Sequence, residues 1–394
     1  MSEVDVLVVG AGPAGTAAAT VLARTGLRVH IVDRARFPRH KLCGDTINPG
    51  SLALLDALAE GNDRARSPAE RVRRHGLPIK GMTVTGPGGT SVTADYPDRL
   101  HGIAITRRDL DSILLDGALD AGATFDDQMP VVGPVFSDGR VFGVLVAGRT
   151  RDLTLHARVV IAADGRGSKV AGACGLSRFA PRPRRWAFGA YFTDVPGLTR
   201  RGEMHVRVDG YIGLAPLPGG IVNVCVVREA RGVRRNWAGE VRGGEGSNVL
   251  RAAVDCDLLL RERFVHARQV SPVTTLGPLA IDSPRPGAAG LLLAGDAAGF
   301  VDPMTGDGLR FAVRGGVLAA QAAIAELATG APACEALRVA RAREFGTKWR
   351  VNRALRALVA SPRGVHVAAR VAARWNAPVR YLVAIAGDIA LARS

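Results

Sequence analysis

Lysine and cysteine are scarce in this 394-residue chain, and so is any long uninterrupted apolar run. Of 52 basic residues, only Lys41, Lys80, Lys169 and Lys348 are lysine. The formal charge of +16 is therefore mostly arginine, a skew that GC-rich coding produces. It is spread along the chain, so no specific nucleic-acid partner is expected; the field would favour acidic partners or anionic lipid. The five cysteines (Cys43, Cys174, Cys225, Cys256, Cys334) are odd in number and have no Cys-x-x-Cys spacing. That excludes a disulfide framework or a zinc site and fits a reducing, cytoplasmic compartment. No stretch of about 20 apolar residues lacks a charge or a glycine, so no membrane span is expected. The N-terminus has no basic leader and no cleavage site, so export is not expected. The eight histidines form no metal-like cluster; His101, His205 and His266 stand alone and read as structural or solvated. Gly-x-Ser-x-Gly, His-Glu-x-x-His, internal repeats and low-complexity linkers are all missing.

What is present is a chain that is 47% hydrophobic and 22% charged, with 48 glycines and 22 prolines. It is long enough for two ordinary domains or one large α/β domain with an inserted module. Residues 4–9, VDVLVV, read as a buried parallel strand. Gly10, Gly12 and Gly15 follow at Gly-x-Gly-x-x-Gly spacing, then an alanine-rich helix from Ala14 to Arg24 that stops at Gly26. A second strand, residues 28–32, delivers Asp33, 18 residues past the last glycine. The first glycine permits the tight turn, the second lets the backbone approach a pyrophosphate and the third allows close helix–strand packing. The helix N-terminus offers free N–H groups to the phosphates, and Asp33 can accept from a ribose diol. Asp33 disfavours a 2′-phosphate but does not by itself separate NAD from FAD.

Residues 291–316, LLLAGDAAGFVDPMTGDGLRFAVRGG, carry a second motif. A buried strand brings Asp296 to a glycine-flanked position, where it can bond a ribityl hydroxyl or the pyrophosphate arm. A loop through Pro303, Gly306 and Gly308 opens a helix near Leu309 whose N-terminus suits negative charge on a reduced flavin. An NAD enzyme does not need this second site; FAD does.

Between these motifs, the spacing predicts a short helix over 51–59, a polar helix or loop over 64–74 and a hairpin over 81–96. It also predicts a helix over 107–121 and strands over 131–146 around Ser137-Asp138-Gly139. A strand pair is expected over 153–162. Strands over 186–227 are expected with turns at Asp209-Gly210 and Pro218-Gly219-Gly220. Helices are expected over 250–264, over 308–327 and in the tail after Pro332. That tail holds twelve Arg or Lys against three acidic residues. Basic and apolar residues interleave at 349–359 and 365–383. Two readings stay open for it: an amphipathic membrane-surface face, or a helical cap on the cofactor domain.

Four ordered segments together resemble the FAD-dependent superfamily of p-hydroxybenzoate hydroxylase-type monooxygenases, flavin halogenases and geranylgeranyl reductases. They are Gly10–Gly15 with Asp33; Arg107 with Leu110 and Asp111; Asp164-Gly165 with Ser168; and Gly295-Asp296 through Gly308. The resemblance implies an α/β fold: a Rossmann-like FAD-binding domain of the glutathione-reductase type, an inserted β-sheet substrate domain and a C-terminal helical tail. The expected division is 1–80, 97–175 and 281–330 for the FAD domain, 81–96 and 176–280 for the substrate domain, and 331–394 for the tail.

The loop Phe37-Pro38-Arg39 to Lys41-Leu42-Cys43-Gly44-Asp45 resembles the reductase branch, as does Gly306-Asp307-Gly308-Leu309 with Arg310 and Arg314 in place of the hydroxylases' Asn and Asp. The resemblance implies cofactor contacts from Gly10, Gly12, Ala14, Gly15, Asp33, Arg34, Cys43, Gly44, Arg107, Asp164, Gly295, Asp296, Gly306, Gly308 and Leu309. Local readings stand beside these: Cys43 as a small buried hydrophobe, Arg107 as a solvated helix-start residue, Asp164 as a turn cap. In the segment 210–216 only Pro216 matches the reductases' Trp-x-Phe-Pro. The tryptophan-rich motif and active-site lysine of halogenases are not evident.

Trp186, Phe188, Tyr191, Tyr211 and Pro216 are candidates for lining the substrate cavity or for ordinary core. No catalytic residue and no metal site is assigned. The expected activity is reduction of a C=C bond in a hydrophobic isoprenoid, quinone or polyketide-like molecule. The alternatives are monooxygenation of an aromatic or lipidic substrate and a non-redox flavoprotein. NAD(P)H, docking transiently, or an electron-donor protein would reduce the FAD. The expected location is cytoplasmic, with peripheral contact at the inner face of the membrane through the tail.

Overall fold

The fold is described from a computed structural model, which covers residues 4–59, 67–148, 150–180, 185–208, 210–229, 245–375 and 377–393. The expectations placed on residues 64–66 and on Asp209 lie outside the described residues.

The strand Val4–Val9 is central because it is apolar on both faces. Val6, Leu7 and Val8 are fully buried, each stabilising the fold by about 1.5–3 kcal/mol. It pairs in parallel with Leu153–Ala162 on one side and Val29–Val32 on the other. The sheet continues through Leu291–Leu293 and Gly287–Ala288 at one end and Thr124–Asp126 at the other. The helices Pro13–Ala23 and Gly308–Thr329 pack on one face, around Ala18, Leu22, Ala319 and Ala323. They approach so closely that a Cβ on Gly316 would overlap the Ala14 carbonyl.

Leu153–Ala162 is one ten-residue strand rather than the expected pair. Its first half pairs antiparallel with Arg140–Val146 and its second half pairs in parallel with Val4–Val9. The change of partner, not a turn, accounts for its length. Gly308–Thr329 has the length and composition of a membrane span. In the fold it is a core helix, and it carries Arg310 and Glu326 buried in hydrogen bonds.

A second sheet orders Arg268–Gln269, Arg185–Thr193, Val222–Glu229, Gly210–Pro216, Gly202–Arg207, Gly81–Thr85 and Ser91–Asp95. The hairpin 81–95 thus joins strands more than 100 residues away, with Gly81–Thr85 parallel to Gly202–Arg207. The helix expected over 250–264 instead runs Glu245–Asp255. Asp257 then accepts the Leu259 N–H with its own side chain, the local competition that stops helices.

The tail folds as Cys334–Ala360, Pro362–Arg374, Ala377–Ala386 and Ile389–Arg393. Its end docks far back along the chain: the Gly50 N–H donates to the Gly387 carbonyl (3.0 Å), and Asn48 Nδ2 to the Ala386 carbonyl (2.6 Å). Arg310 Nη1 donates to Asp388 (2.7 Å), and Arg310 and Arg314 both donate to Glu344 (3.1 Å each).

Candidate active site

The glycine turn is built by steric exclusion. Gly10 has φ +103°, and a Cβ on Gly15 would overlap the Gly10 carbonyl. Gly10 and Gly15 therefore shape the turn and its packing. Gly12, at the head of the helix Pro13–Ala23, supplies no side-chain cap and leaves the N-terminal N–H groups open. Asp33 is buried and ties the turn down: Oδ2 accepts the Ala11 N–H and Oδ1 the Ala35 N–H, both at 2.9 Å. Each oxygen keeps a lone-pair direction for a ribose hydroxyl.

Three cations surround the head of this helix. Asp111, fully buried, accepts two hydrogen bonds from Arg107 (both 2.9 Å) and forms an ion pair with Arg39 (2.9 Å). Arg39 Nη2 also reaches to 3.6 Å from where a Gly12 Cβ would stand, and Lys41 Nζ lies 3.6 Å from the same position on Gly165. Burial, and then Arg107, push the Lys41 pKa down, while Asp296 opposes them. Arg39, Lys41 and Arg107, with Asp111, Asp33 and Asp296 as their carboxylate neighbours, set cationic donors beside free helix N–H groups, a match for a pyrophosphate. Asp164 adds a second sign: its Oδ2 accepts the Lys169 N–H (3.1 Å), while Oδ1 is buried with no partner. Burial raises its pKa. A dinucleotide hydroxyl donating to Oδ1 would satisfy it, so the residues present fit FAD.

The second motif closes on the first. Gly295 has φ +58°, and a Cβ there would stand 2.8 Å from Ala14 Cβ. Asp307, at the head of Gly308–Thr329, does not cap that helix. Its carboxylate is held instead by Lys348 and by Asn352 Nδ2 (3.2 Å). The N–H groups at Gly308 and Leu309 therefore face the cavity uncapped.

That cavity, about 440 Å³, runs from the glycine turn beneath the second sheet to the tail helices. At its flavin end lie Gly12, Ala14, Cys43, Gly44, Arg107, Gly295, Asp296, Gly306, Gly308 and Leu309. Asp33 and Asp164 are not among the residues that line this cavity. Arg34 is exposed, outside the cavity, and acts on the site only through its charge on Asp164 and Arg166. Beyond the flavin end the walls are apolar: Met82, Val84, Val92 and Met204 from the sheet, Val359, Val365, Ala369 and Val383 from the tail.

Of the five substrate-lining candidates, Tyr211 lines the cavity and donates to Asp302 (2.7 Å), whose other oxygen meets Arg185 (3.3 Å). The others need correction. Ala187 faces the cavity, so its strand neighbours Trp186 and Phe188 point to the opposite face and pack in the core with Phe192 and Val226. Pro216 ends its strand opposite Val222 and does not reach the cavity. Tyr191 shares the face of Ala187 but turns its hydroxyl to Asp45 (2.8 Å) instead of lining the wall.

Asp45 and Asn223 are among the lining residues that escaped the sequence reading. Asn223 Nδ2 donates to the Cys43 carbonyl (2.6 Å) and to Asp45 (2.8 Å). Its signal was a lone amide inside the apolar strand Val222–Glu229, and that of Asp45 was its place at the end of the Cys43-Gly44 loop.

Comparison with known proteins agrees with this geometry. Residues 3–354 match the FAD binding domain family. The chain is 30% identical over 359 residues to the menaquinone reductase of Mycobacterium tuberculosis, covering 80% of this chain and 76% of that protein. It is 27% identical over 361 residues to a digeranylgeranylglycerophospholipid reductase of Methanosphaerula palustris, covering 89% and 82%. A geranylgeranyl bacteriochlorophyll reductase-like structure from Thermoplasma acidophilum superposes with a TM-score of 0.77 at 22% identity, covering 95% of this chain and 92% of that one. The chain belongs to the FAD binding domain family and is an FAD-dependent oxidoreductase of the geranylgeranyl reductase and p-hydroxybenzoate hydroxylase-like superfamily.

Proposed function

We propose that this enzyme reduces a C=C bond in a long apolar substrate of the isoprenoid, quinone or polyketide class. The observation that carries the reading is the single cavity joining two uncapped helix N-termini to apolar walls contributed by sheet and tail. FAD supplies the hydride when bound and reduced. Arg39, Lys41 and Arg107 would hold the pyrophosphate, Asp33 a ribose hydroxyl, and the head of Gly308–Thr329 would face the negative side of the ring. Met82, Val84, Met204 and the tail residues exclude water and align the chain of the substrate. The sequence holds no second dinucleotide turn, so NAD(P)H or a donor protein docks transiently.

The tail is the route of entry under this reading. Helix Pro362–Arg374 faces the cavity with Val365, Ala368 and Ala369. It also leaves Val367 and Val371 exposed, in line with Trp375 beyond its end and flanked by Arg363, Arg370 and Arg374. An exposed apolar ridge bordered by arginine suits an anionic bilayer at the inner face of the membrane. Co-sedimentation with phosphatidylglycerol vesicles tests it. Val367→Asp with Trp375→Ser should abolish sedimentation without loss of FAD; unchanged sedimentation refutes the route.

The activity is tested by incubation of dithionite-reduced holoenzyme with a geranylgeranyl lipid, without and with air, followed by mass spectrometry. A product gaining two hydrogens supports reduction. A product that gains one oxygen, and only in air, overturns it in favour of oxygenation.

A further inference from the structure

Reducing a C=C bond requires a proton as well as a hydride, and nothing above supplies it. The ionisable groups on the cavity wall narrow the choice. Glu203 is gripped by both guanidinium nitrogens of Arg263 (2.7 and 3.0 Å) and by His205 (3.1 Å), which keep it ionised. Asp296 sits in the turn beside Ala14, at the cofactor end. Tyr211 spends its proton on Asp302, and burial pushes the pKa of Tyr96 up to about 12.

Asp45 differs from all of these. It is 2% exposed, and its backbone is fixed in the left-handed region (φ +51°) by the Ile105 N–H bond to its carbonyl (2.9 Å). Asp45 lines the cavity between Gly44 and Thr46. Oδ1 accepts the Arg107 N–H (3.2 Å), and Oδ2 accepts Asn223 Nδ2 and the Tyr191 hydroxyl (2.8 Å each). Tyr191 is only half-buried, with exposed His40 beside its ring (centroids 6.4 Å apart). The hydrogen bond from the half-buried Tyr191 therefore links the solvent side of the sheet to Asp45 and the apolar cavity.

We propose that Asp45 is the proton donor of the reduction, recharged from solvent through Tyr191. This rests on the reductase reading. One alkene carbon takes a hydride from the two-electron-reduced cofactor, and the other takes the Asp45 proton. The π bond breaks and two C–H bonds form; the cofactor is left oxidised and Asp45 a carboxylate. That carboxylate takes the Tyr191 proton as Tyr191 takes one from water.

The surroundings favour a carboxyl that is protonated at neutral pH. Burial raises the Asp45 pKa to about 7, opposed by the bonds from Tyr191, Arg107 and Asn223. The other titratable neighbours are the Cys43 and Cys225 thiols, and burial pushes Cys225 up to about 12. The rate of alkene reduction should therefore fall as pH rises through about 7.

The test uses the full-length protein. Infrared difference titration of the oxidised protein should show a carboxylic C=O band lost near neutral pH. The band should be absent in Asp45→Asn and shifted in Tyr191→Phe. Stopped-flow reoxidation of the dithionite-reduced holoenzyme by a geranylgeranyl lipid, without oxygen, should slow about 10²–10⁴-fold in Asp45→Asn at unchanged flavin content. Reoxidation within threefold of wild type, or no neutral-range carboxyl in the wild type, overturns the assignment and leaves the reductase reading standing. A wild-type enzyme that forms no product with two added hydrogens overturns both. If Asp45→Asn does not fold, the wild-type band and its displacement in Tyr191→Phe decide the question, and an unmoved band counts against the relay.

Discussion

Replacing Glu203 by glutamine should destabilise the protein by about 2–3 kcal/mol at pH 7, and the loss should shrink on acidification. Burial alone would raise this carboxyl's pKa. The His205 hydrogen bond and the Arg263 ion pair outweigh that and bring it from the ordinary 4.5 down to about 2. At about 1.4 kcal/mol per pH unit, the drop is worth about 3 kcal/mol. The side chain of Arg263 is 20% exposed and regains some hydration when its partner is lost, which trims the figure. A depressed folded-state pKa gives stability that is complete above 4.5 and disappears as pH falls from 4.5 towards 2. The wild-type protein should lose the advantage over that window, while Glu203→Gln has none to lose. Urea unfolding at pH 7, 5 and 3.5, followed by circular dichroism, measures the gap. A gap below about 0.5 kcal/mol at pH 7, or one that widens in acid, would refute the reasoning.

Three further outcomes follow from the site. Asp33→Ala removes the acceptor for Ala11 and Ala35 and should weaken FAD binding at least tenfold, read by quenching of flavin fluorescence. Asp164→Asn keeps an acceptor for Lys169 and removes a carboxyl whose raised pKa costs stability once pH exceeds its ordinary value of 3.8. The apoprotein should therefore melt higher at pH 7, and a lower melting point would contradict the assignment. Asp388→Ala removes one carboxylate from both Arg310 and Lys348, which keep Glu344 and Asp307, and loosens the hold on the tail. Trypsin should then cut the tail much faster than in wild type; equal rates would show that the network does not hold it.

How much could be read in the residues depended on the range of the forces. The glycine turn was legible because Gly10, Gly15 and Asp33 obey local steric and hydrogen-bonding rules. The second motif was legible for the same reason, although Arg310 and Arg314 were read as departures from a pattern. They are instead the partners of Glu344 and Asp388, more than 29 residues away. Trp186 and Phe188 were candidates by composition, but strand parity sends them to the opposite face from Ala187, and parity has no anchor until one contact is known. The cluster at Asp45 was invisible because Tyr191 and Asn223 lie 146 and 178 residues away in sequence. No periodicity brings such positions together; only the register of the second sheet does.

The bonds from Gly50 to Gly387 and from Asn48 to Ala386 set an order of events during biosynthesis. The glycine turn and its parallel strands can assemble while the chain is still emerging, since domains form from the N-terminal end as they are made. The wall contributed by residues 355–386 cannot, because its anchor at residues 386 and 387 emerges more than 300 residues after the segment it docks on. An unfinished chain can hold a pyrophosphate but cannot enclose a reduced ring or an apolar substrate. A product cut short before residue 386 would thus bind its cofactor in an open, oxygen-accessible site, and only a chain that carries the anchor shuts it.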